Sequence, residues 1–205
     1  FLVFSLLFCP LPDYAQFSVL LTENFNGCPQ GNLNNCGWSI NSAVGSPWRI
    51  SGGACSINGT FCLQVGSDGV DCQYNISSTG TNKIAYKQFS SNGYQLLDIS
   101  FDWKCMGELN NDYGQLMYSF DAITWSQVTA TMYQLQAGVQ NVVNLALPSI
   151  TWNLSQVFIG FRWIDDVDGG FSYPGFIVDN VLIRGEQIVP DDPPNPTTVS
   201  VGCDS

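Results

Sequence analysis

From Asp98 to Cys105 the chain alternates without a break. Asp98, Ser100, Asp102 and Lys104 fall on one side of an extended strand, and Ile99, Phe101, Trp103 and Cys105 on the other. Successive strand side chains point to opposite faces, so this run requires a sheet with one wet face and one face packed on a core. Further apolar or alternating segments recur near 18–25, 47–50, 61–66, 84–89, 114–120, 124–130, 139–147, 156–164 and 176–184. Turn-forming clusters such as Asn34-Asn35-Cys36-Gly37, Ser51-Gly52-Gly53, Ser90-Ser91-Asn92-Gly93 and Asp168-Gly169-Gly170 separate them. No window carries the i, i+3, i+4, i+7 apolar spacing of a helix. This pattern predicts an all-β fold over residues 18–186, an antiparallel two-sheet β-sandwich of jelly-roll type. Val157 to Phe161 is apolar on both faces, as a central strand covered on two sides is.

The chain is long enough for one core of ordinary size, and its 45% hydrophobic content excludes a disordered polypeptide. Its formal net charge of -11, with no His and only six Lys plus Arg, excludes nucleic acid as a partner, because no basic patch is available to neutralise phosphates. An anionic membrane surface is disfavoured for the same reason.

Residues 1–17 read as a secretory signal peptide whose true start lies upstream. Phe1 to Phe8 form an apolar run too short to span a membrane, and no Met or basic segment precedes it. Cys9 follows Phe8 rather than a small residue, so a lipid anchor is not expected. Residues 187–198 form a Pro-rich linker, and 199–205 read as the start of a further region. The expectation is a secreted or cell-surface chain with further domains and no membrane insertion of the mature domain.

Setting aside Cys9 and Cys203, six cysteines remain: Cys28, Cys36, Cys55, Cys62, Cys72 and Cys105. An even set behind a signal peptide implies an oxidising compartment and disulfides, with the pairing left open by sequence. The short loops suggest Cys28 with Cys36 and Cys55 with Cys62, leaving Cys72 for Cys105. Zinc is a weaker reading, since there is no His and no paired CxxC.

Two carboxylates stand in apolar strands. Asp179 shares its alternation phase with Ile177, Val181 and Ile183, and Glu23 with Val19, Leu21 and Phe25. A buried carboxylate needs a cation or several donors. Calcium is the expected cation, and it requires about 6–8 oxygens. The alternatives are turn amides, or pairing with Arg49, Arg162 or Arg184. Asp165-Asp166-Val167-Asp168-Gly169-Gly170 is the densest acidic cluster. Asp165 and Asp168 are candidates there for a second metal, although the segment departs from the EF-hand pattern.

Four motifs in order resemble a known family. Glu23-Asn24-Phe25-Asn26-Gly27 is similar to its opening "E-x-F-x-G", and Leu97 to Trp103 to its "L-x-F-x-W/Y" strand. Asp112 to Trp125 is similar to its "D-x-G-x-V-x-Y-S-x-D-G-x-T-W" hairpin. Ile159 to Trp163 followed by Gly175 to Val181 is similar to its closing "F-R-W … x-x-V-D-D-V/I". The chain thus resembles the concanavalin-like jelly-roll modules of the cleaved-adhesin or choice-of-anchor type, relatives of MAM domains in secreted bacterial proteins. Ala122 departs from the hairpin's usual Gly, and Asn180 from the second Asp of the closing motif. The resemblance implies that the first and last strands lie close and that their acids share a structural calcium. That points to Glu23 and Asp179, with Asp102 as a third ligand.

Catalysis is not expected. Without His there is no Ser-His or Cys-His arrangement. Asp98 and Asp102 share a face but stand roughly 13 Å apart at strand rise, beyond the spacing of a glycosidase pair. Ser119 to Trp125 approaches the Asp-box of sialidases but reads as a structural hairpin, with Asp121 bonding turn amides and Trp125 packing. The expected function is a non-catalytic binding or adhesion module of a larger protein, with a glycan or protein ligand at a cell surface. The alternatives are a carbohydrate-active jelly roll, either a carbohydrate-binding module or a glycoside hydrolase, and a structural spacer beside a peptidase domain. Tyr113, Trp152 and Tyr173, near turns, are the candidate ligand contacts.

Overall fold

A computed structural model describes residues 16–31, 33–41, 48–53, 56–59, 61–66, 72, 74, 81–166 and 174–189. Among them run eleven strands: β1 (Phe17–Glu23), β2 (Trp38–Ile40), β3 (Trp48–Gly52), β4 (Phe61–Val65), β5 (Thr81–Phe89), β6 (Tyr94–Cys105), β7 (Tyr113–Ser119), β8 (Ser126–Gln127), β9 (Gln136–Ala146), β10 (Val157–Asp165) and β11 (Ile177–Gln187). Among the described residues helical geometry is confined to two short 3-10 turns, Asn34–Cys36 and Ser149–Thr151, and to Gly53. The strands form a six-stranded sheet in the order β3-β4-β11-β6-β9, with β1 also on β11, and a five-stranded sheet in the order β2-β5-β10-β7-β8. Among the described residues every strand pairing is antiparallel.

The expected sandwich is therefore the observed one. In β6 the inner side chains Ile99, Phe101, Trp103 and Cys105 are buried, as the alternation required. β10 lies between β5 and β7, the central position its two apolar faces predicted. The sheets meet through rings: Phe161 packs edge-on to Phe101 at 5.1 Å between centroids, and Phe176 stacks on Tyr133 at 5.6 Å. Gly114 lies beneath the Phe176 ring, where a Cβ would come within 2.2 Å of it.

Three local expectations change. β2 is too short to carry a period, and it starts beside Gly37, whose φ of 69° turns the chain out of the preceding 3-10 turn. The segment expected over 124–130 pairs only at Ser126 and Gln127. β9 begins earlier than expected and forms the outer edge of its sheet, exposed along most of its length.

The cysteine pairing is also corrected. Cys28 and Cys36 are disulfide-bonded, as expected, across a Cα separation of 5.7 Å. Cys62 and Cys105 are buried thiols, which overturns Cys55–Cys62 and Cys72–Cys105. Cys105 points into the main core, whereas Cys62 packs with Cys72 and Ile177 on the other side of the sheet. Cys72 is disulfide-bonded, but to none of the described cysteines. Cys55, Cys9, Cys203, the signal segment and the Pro-rich linker lie outside the described residues. Among the described residues no helix is long and apolar enough to cross a membrane.

Candidate functional site

β11 is shared along one edge. Ile177 and Val178 pair with β4, and Val181 to Glu186 pair with β1. Between them the register against β6 shifts after Asp179, and Asn180 adopts φ 50°. This is a β-bulge, which inserts a residue and reverses the side-chain phase. The shared face expected for Asp179 with Val181 and Ile183 is thus overturned. Val181 and Ile183 enter the core, while Asp179 stays on the outer face with Ile177.

There Asp179 stands opposite Asp102 of β6. Asp179 is fully buried, and it accepts hydrogen bonds from the backbone amides of Asn58 at 3.2 Å and Asn180 at 2.8 Å. Asp102 accepts from three side-chain amides: Asn58 at 2.9 Å, Asn180 at 2.8 Å, and Asn141. Burial pushes the Asp179 carboxyl up to about 6, the amides pull it down, and the charges of Asp102 and Glu23 raise it further.

Glu23 belongs to a different environment. It faces inward, accepting from Trp38 Nε1 at 3.4 Å and from the Phe25 amide at 3.0 Å. Its charge is met by Lys87 Nζ from the opposite sheet at 2.7 Å. Of the arginines expected as alternatives, Arg184 pairs with Asp98 at 2.9 Å, and Arg162 bonds Asn82 and Gln115. Among the described residues no three His, Cys, Asp or Glu side chains converge as a metal site. Asp165 is buried at the end of β10, and Asp168 lies outside the described residues.

The outer face of the five-stranded sheet is built differently. Gly160 of β10 lacks a side chain, and Trp125 folds back over it from the β7–β8 connection; a Cβ at Gly160 would meet Ile84 at 2.5 Å and Trp125 at 2.8 Å. Tyr86 of β5 lies 5.3 Å from Trp125 and 5.8 Å from Phe158, giving three half-buried rings in a row. Beyond them Arg162 is held by Asn82 at 2.8 Å and Gln115 at 3.3 Å, and Tyr113 closes the same face. Rings of this kind offer apolar faces, and a pinned guanidinium offers directed donors. The Asp121 hairpin that presents Trp125 has the expected form: Asp121 Oδ1 accepts from the amides of Ile123 at 2.8 Å and Thr124 at 2.7 Å.

Of the three expected ligand contacts, Tyr113 is on this face. Trp152 instead packs against the main core, and Tyr173 lies outside the described residues. Tyr86, Phe158 and Gly160 were not singled out as ligand contacts. The glycine in the middle of an otherwise apolar central strand was the available signal, because a strand interior gains nothing from Gly unless another group approaches closely.

No protein-family model matches the sequence, and no curated protein does. Solved structures do match. The N-terminal CBM22-1–CBM22-2 tandem of Paenibacillus barcinonensis Xyn10C superposes with a TM-score of 0.54 at 13% identity, covering 91% of this chain and 50% of that one. The chain thus spans half the length of that tandem. The K1 cleaved adhesin domain of Lys-gingipain from Porphyromonas gingivalis W83 gives 0.49 at 14% identity, covering 82% of this chain and 99% of that one. The mannan-recognising module TmCBM27 gives 0.45 at 12%, covering 84% and 100%. The chain has the jelly-roll fold.

Proposed function

We propose that this chain is a non-catalytic binding module of an exported multidomain protein and that its ligand is a glycan. The carrying observation is the row Trp125–Tyr86–Phe158 beside the braced Arg162 on the outer face of the five-stranded sheet. The C–H faces of sugar rings pack on aromatic rings, while the guanidinium orients ring hydroxyls. A cleavage role draws no comparable support: Asp98 is paired with Arg184, and Asp102 is surrounded by amides.

Calcium belongs to this proposal at Asp102 and Asp179, not at Glu23. The donor chemistry fits. The amides of Asn58, Asn141 and Asn180 surround the acids. Each also carries a carbonyl oxygen, and rotating the amide group presents it in place of the NH2. Two carboxylates with such oxygens match the hard-oxygen preference of calcium. When bound, the ion would neutralise buried charge, while Lys87 serves that role for Glu23.

Affinity electrophoresis of the whole chain through gels containing xylan, mannan, galactan or β-glucan tests the glycan reading. Retardation in at least one gel, lost on Trp125→Ala and reduced on Arg162→Gln, is the expected result. Unretarded migration of the folded parent in every gel rejects it, and turnover of any of these polysaccharides rejects the non-catalytic part.

A further inference from the structure

The Asp121 hairpin carries Trp125 on one flank, but its other flank is unused by the platform. There the chain leaves β7 through Phe120, whose ring is 39% exposed and lies edge-on to Tyr118 at 5.7 Å. Two concavities share that ring. The first, about 310 Å³, is lined by Phe120, Ile150, Leu154, Ser155 and Gln156. The second, about 230 Å³, lies between Tyr118, Phe120 and the hairpin residues Asp121, Thr124 and Ser126. The first alone reaches the lower end of the range of ligand-binding clefts, roughly 300–1,000 Å³.

The walls are held before any ligand arrives. Gln156 Nε2 donates to the Phe120 carbonyl at 3.0 Å, tying the β9–β10 connection to the hairpin. Ser119 Oγ accepts from the amides of Asp121 at 3.2 Å and Ala122 at 3.0 Å, and donates to Asp121 Oδ1 at 2.9 Å. Thr151 Oγ1 donates to the Pro148 carbonyl at 2.7 Å, which fixes the turn bearing Ile150. Such bracing removes the ordering cost that a flexible site bears on binding.

We propose that this double groove is a second saccharide site, separate from the sheet platform, which receives the end of a neutral oligosaccharide. Its ring lies over Phe120, and its hydroxyls face Ser155 and Gln156 on one side and Thr124 and Ser126 on the other. This rests on the glycan reading above. An aromatic ring bordered by the hydroxyls of Ser155 and Ser126 suits a sugar better than a fully apolar ligand, which would offer those hydroxyls no partner. Charge selects within the class. The amides of Thr124 and Ile123, then Ser119, hold the Asp121 carboxyl down at about 2. The groove therefore carries a permanent negative charge on a chain of net charge -11, and uronic or sulfated sugars are repelled.

Methyl and indole NMR of the whole chain, titrated with xylohexaose, mannohexaose, β-1,4-galactotriose and an oligogalacturonate, tests this. A neutral saccharide should shift both the Trp125 indole and the methyls of Ile150 and Leu154, and the oligogalacturonate should leave those methyls unmoved. Phe120→Ala, at an exposed position, should weaken the methyl response about tenfold and spare the Trp125 response; Trp125→Ala should leave the methyl response of Ile150 and Leu154 in place. Shifts confined to Trp125, or a Phe120→Ala chain that titrates like its parent, overturn the second site and leave the glycan reading standing. Silence at both places with every neutral saccharide overturns both.

Discussion

The outer face of the six-stranded sheet buries charge, whereas the outer face of the five-stranded sheet displays rings. On the first, Asp102 and Asp179 sit beneath amides from Asn58, Asn141 and Asn180. On the second, Trp125 rests on Gly160 between Tyr86 and the hairpin. Both depend on one irregular residue in a central strand: the bulge at Asn180 turns Asp179 outward, and the missing Cβ of Gly160 admits an indole. Each outer face is specified by a departure from regular strand geometry rather than by the strand itself.

The largest effect is expected where the indole rests. Gly160→Ala should lower stability by about 2–3 kcal/mol, because the new methyl meets both Ile84 and Trp125. It should also shift Trp125 fluorescence and weaken glycan retention. Chemical denaturation with unchanged binding would show that the platform does not need this approach.

Next comes the charged face. Asp179 holds its proton up to about pH 6 in the folded chain but releases it near the usual carboxylate value when unfolded. The folded state then binds more protons across this window, so in chelator stability should fall as pH rises from about 4 to about 6. Asp179→Asn should remove that fall and stabilise the chelated chain by up to about 2 kcal/mol at pH 7. Added calcium should raise the parent's melting temperature and leave the variant's unchanged. Parent and variant melting alike at all pH values, with and without calcium, would refute this account of the face.

The smallest effect concerns the hairpin that joins the platform to the groove. Ala122 adopts φ 59°, a region glycine enters without strain. Ala122→Gly should stabilise the chain by about 0.5 kcal/mol, read as a small rise in thermal midpoint with binding intact. A fall would mean that the turn relies on the alanine methyl.

Both sheets and most of their strands were legible because regular alternation encodes burial directly, as in Ile99, Phe101, Trp103 and Cys105. Glu23 points inward with Leu21 and Phe25 as expected, but not with Val19, which a bulge between Val19 and Leu21 leaves exposed, and its partner is Lys87 rather than an arginine. Asp179 was read onto the wrong face, because a bulge leaves no mark in the alternation of Ile177, Val181 and Ile183. Cys28–Cys36 was legible from its short loop, but Cys72–Cys105 failed for a related reason: Cys72 and Cys105 lie on opposite sides of one sheet, which sequence spacing does not show. Tyr86 and Phe158 were hidden because their role comes from lateral strand order, which places β5 and β10 side by side.

β9 has a consequence for handling the protein. Its eleven residues, Gln136 to Ala146, form a sheet edge with no charge and no proline. Edges of this length ordinarily carry local guards against pairing with another chain. Here two irregularities in the pairing with β6 interrupt the edge locally, and the larger guard is collective: a net charge of -11 keeps molecules apart. It vanishes near the isoelectric point of about 4.1. Mildly acidic storage is therefore expected to turn a monodisperse solution into one that scatters light through edge-to-edge assembly, and a lysine placed in β9 should keep it clear.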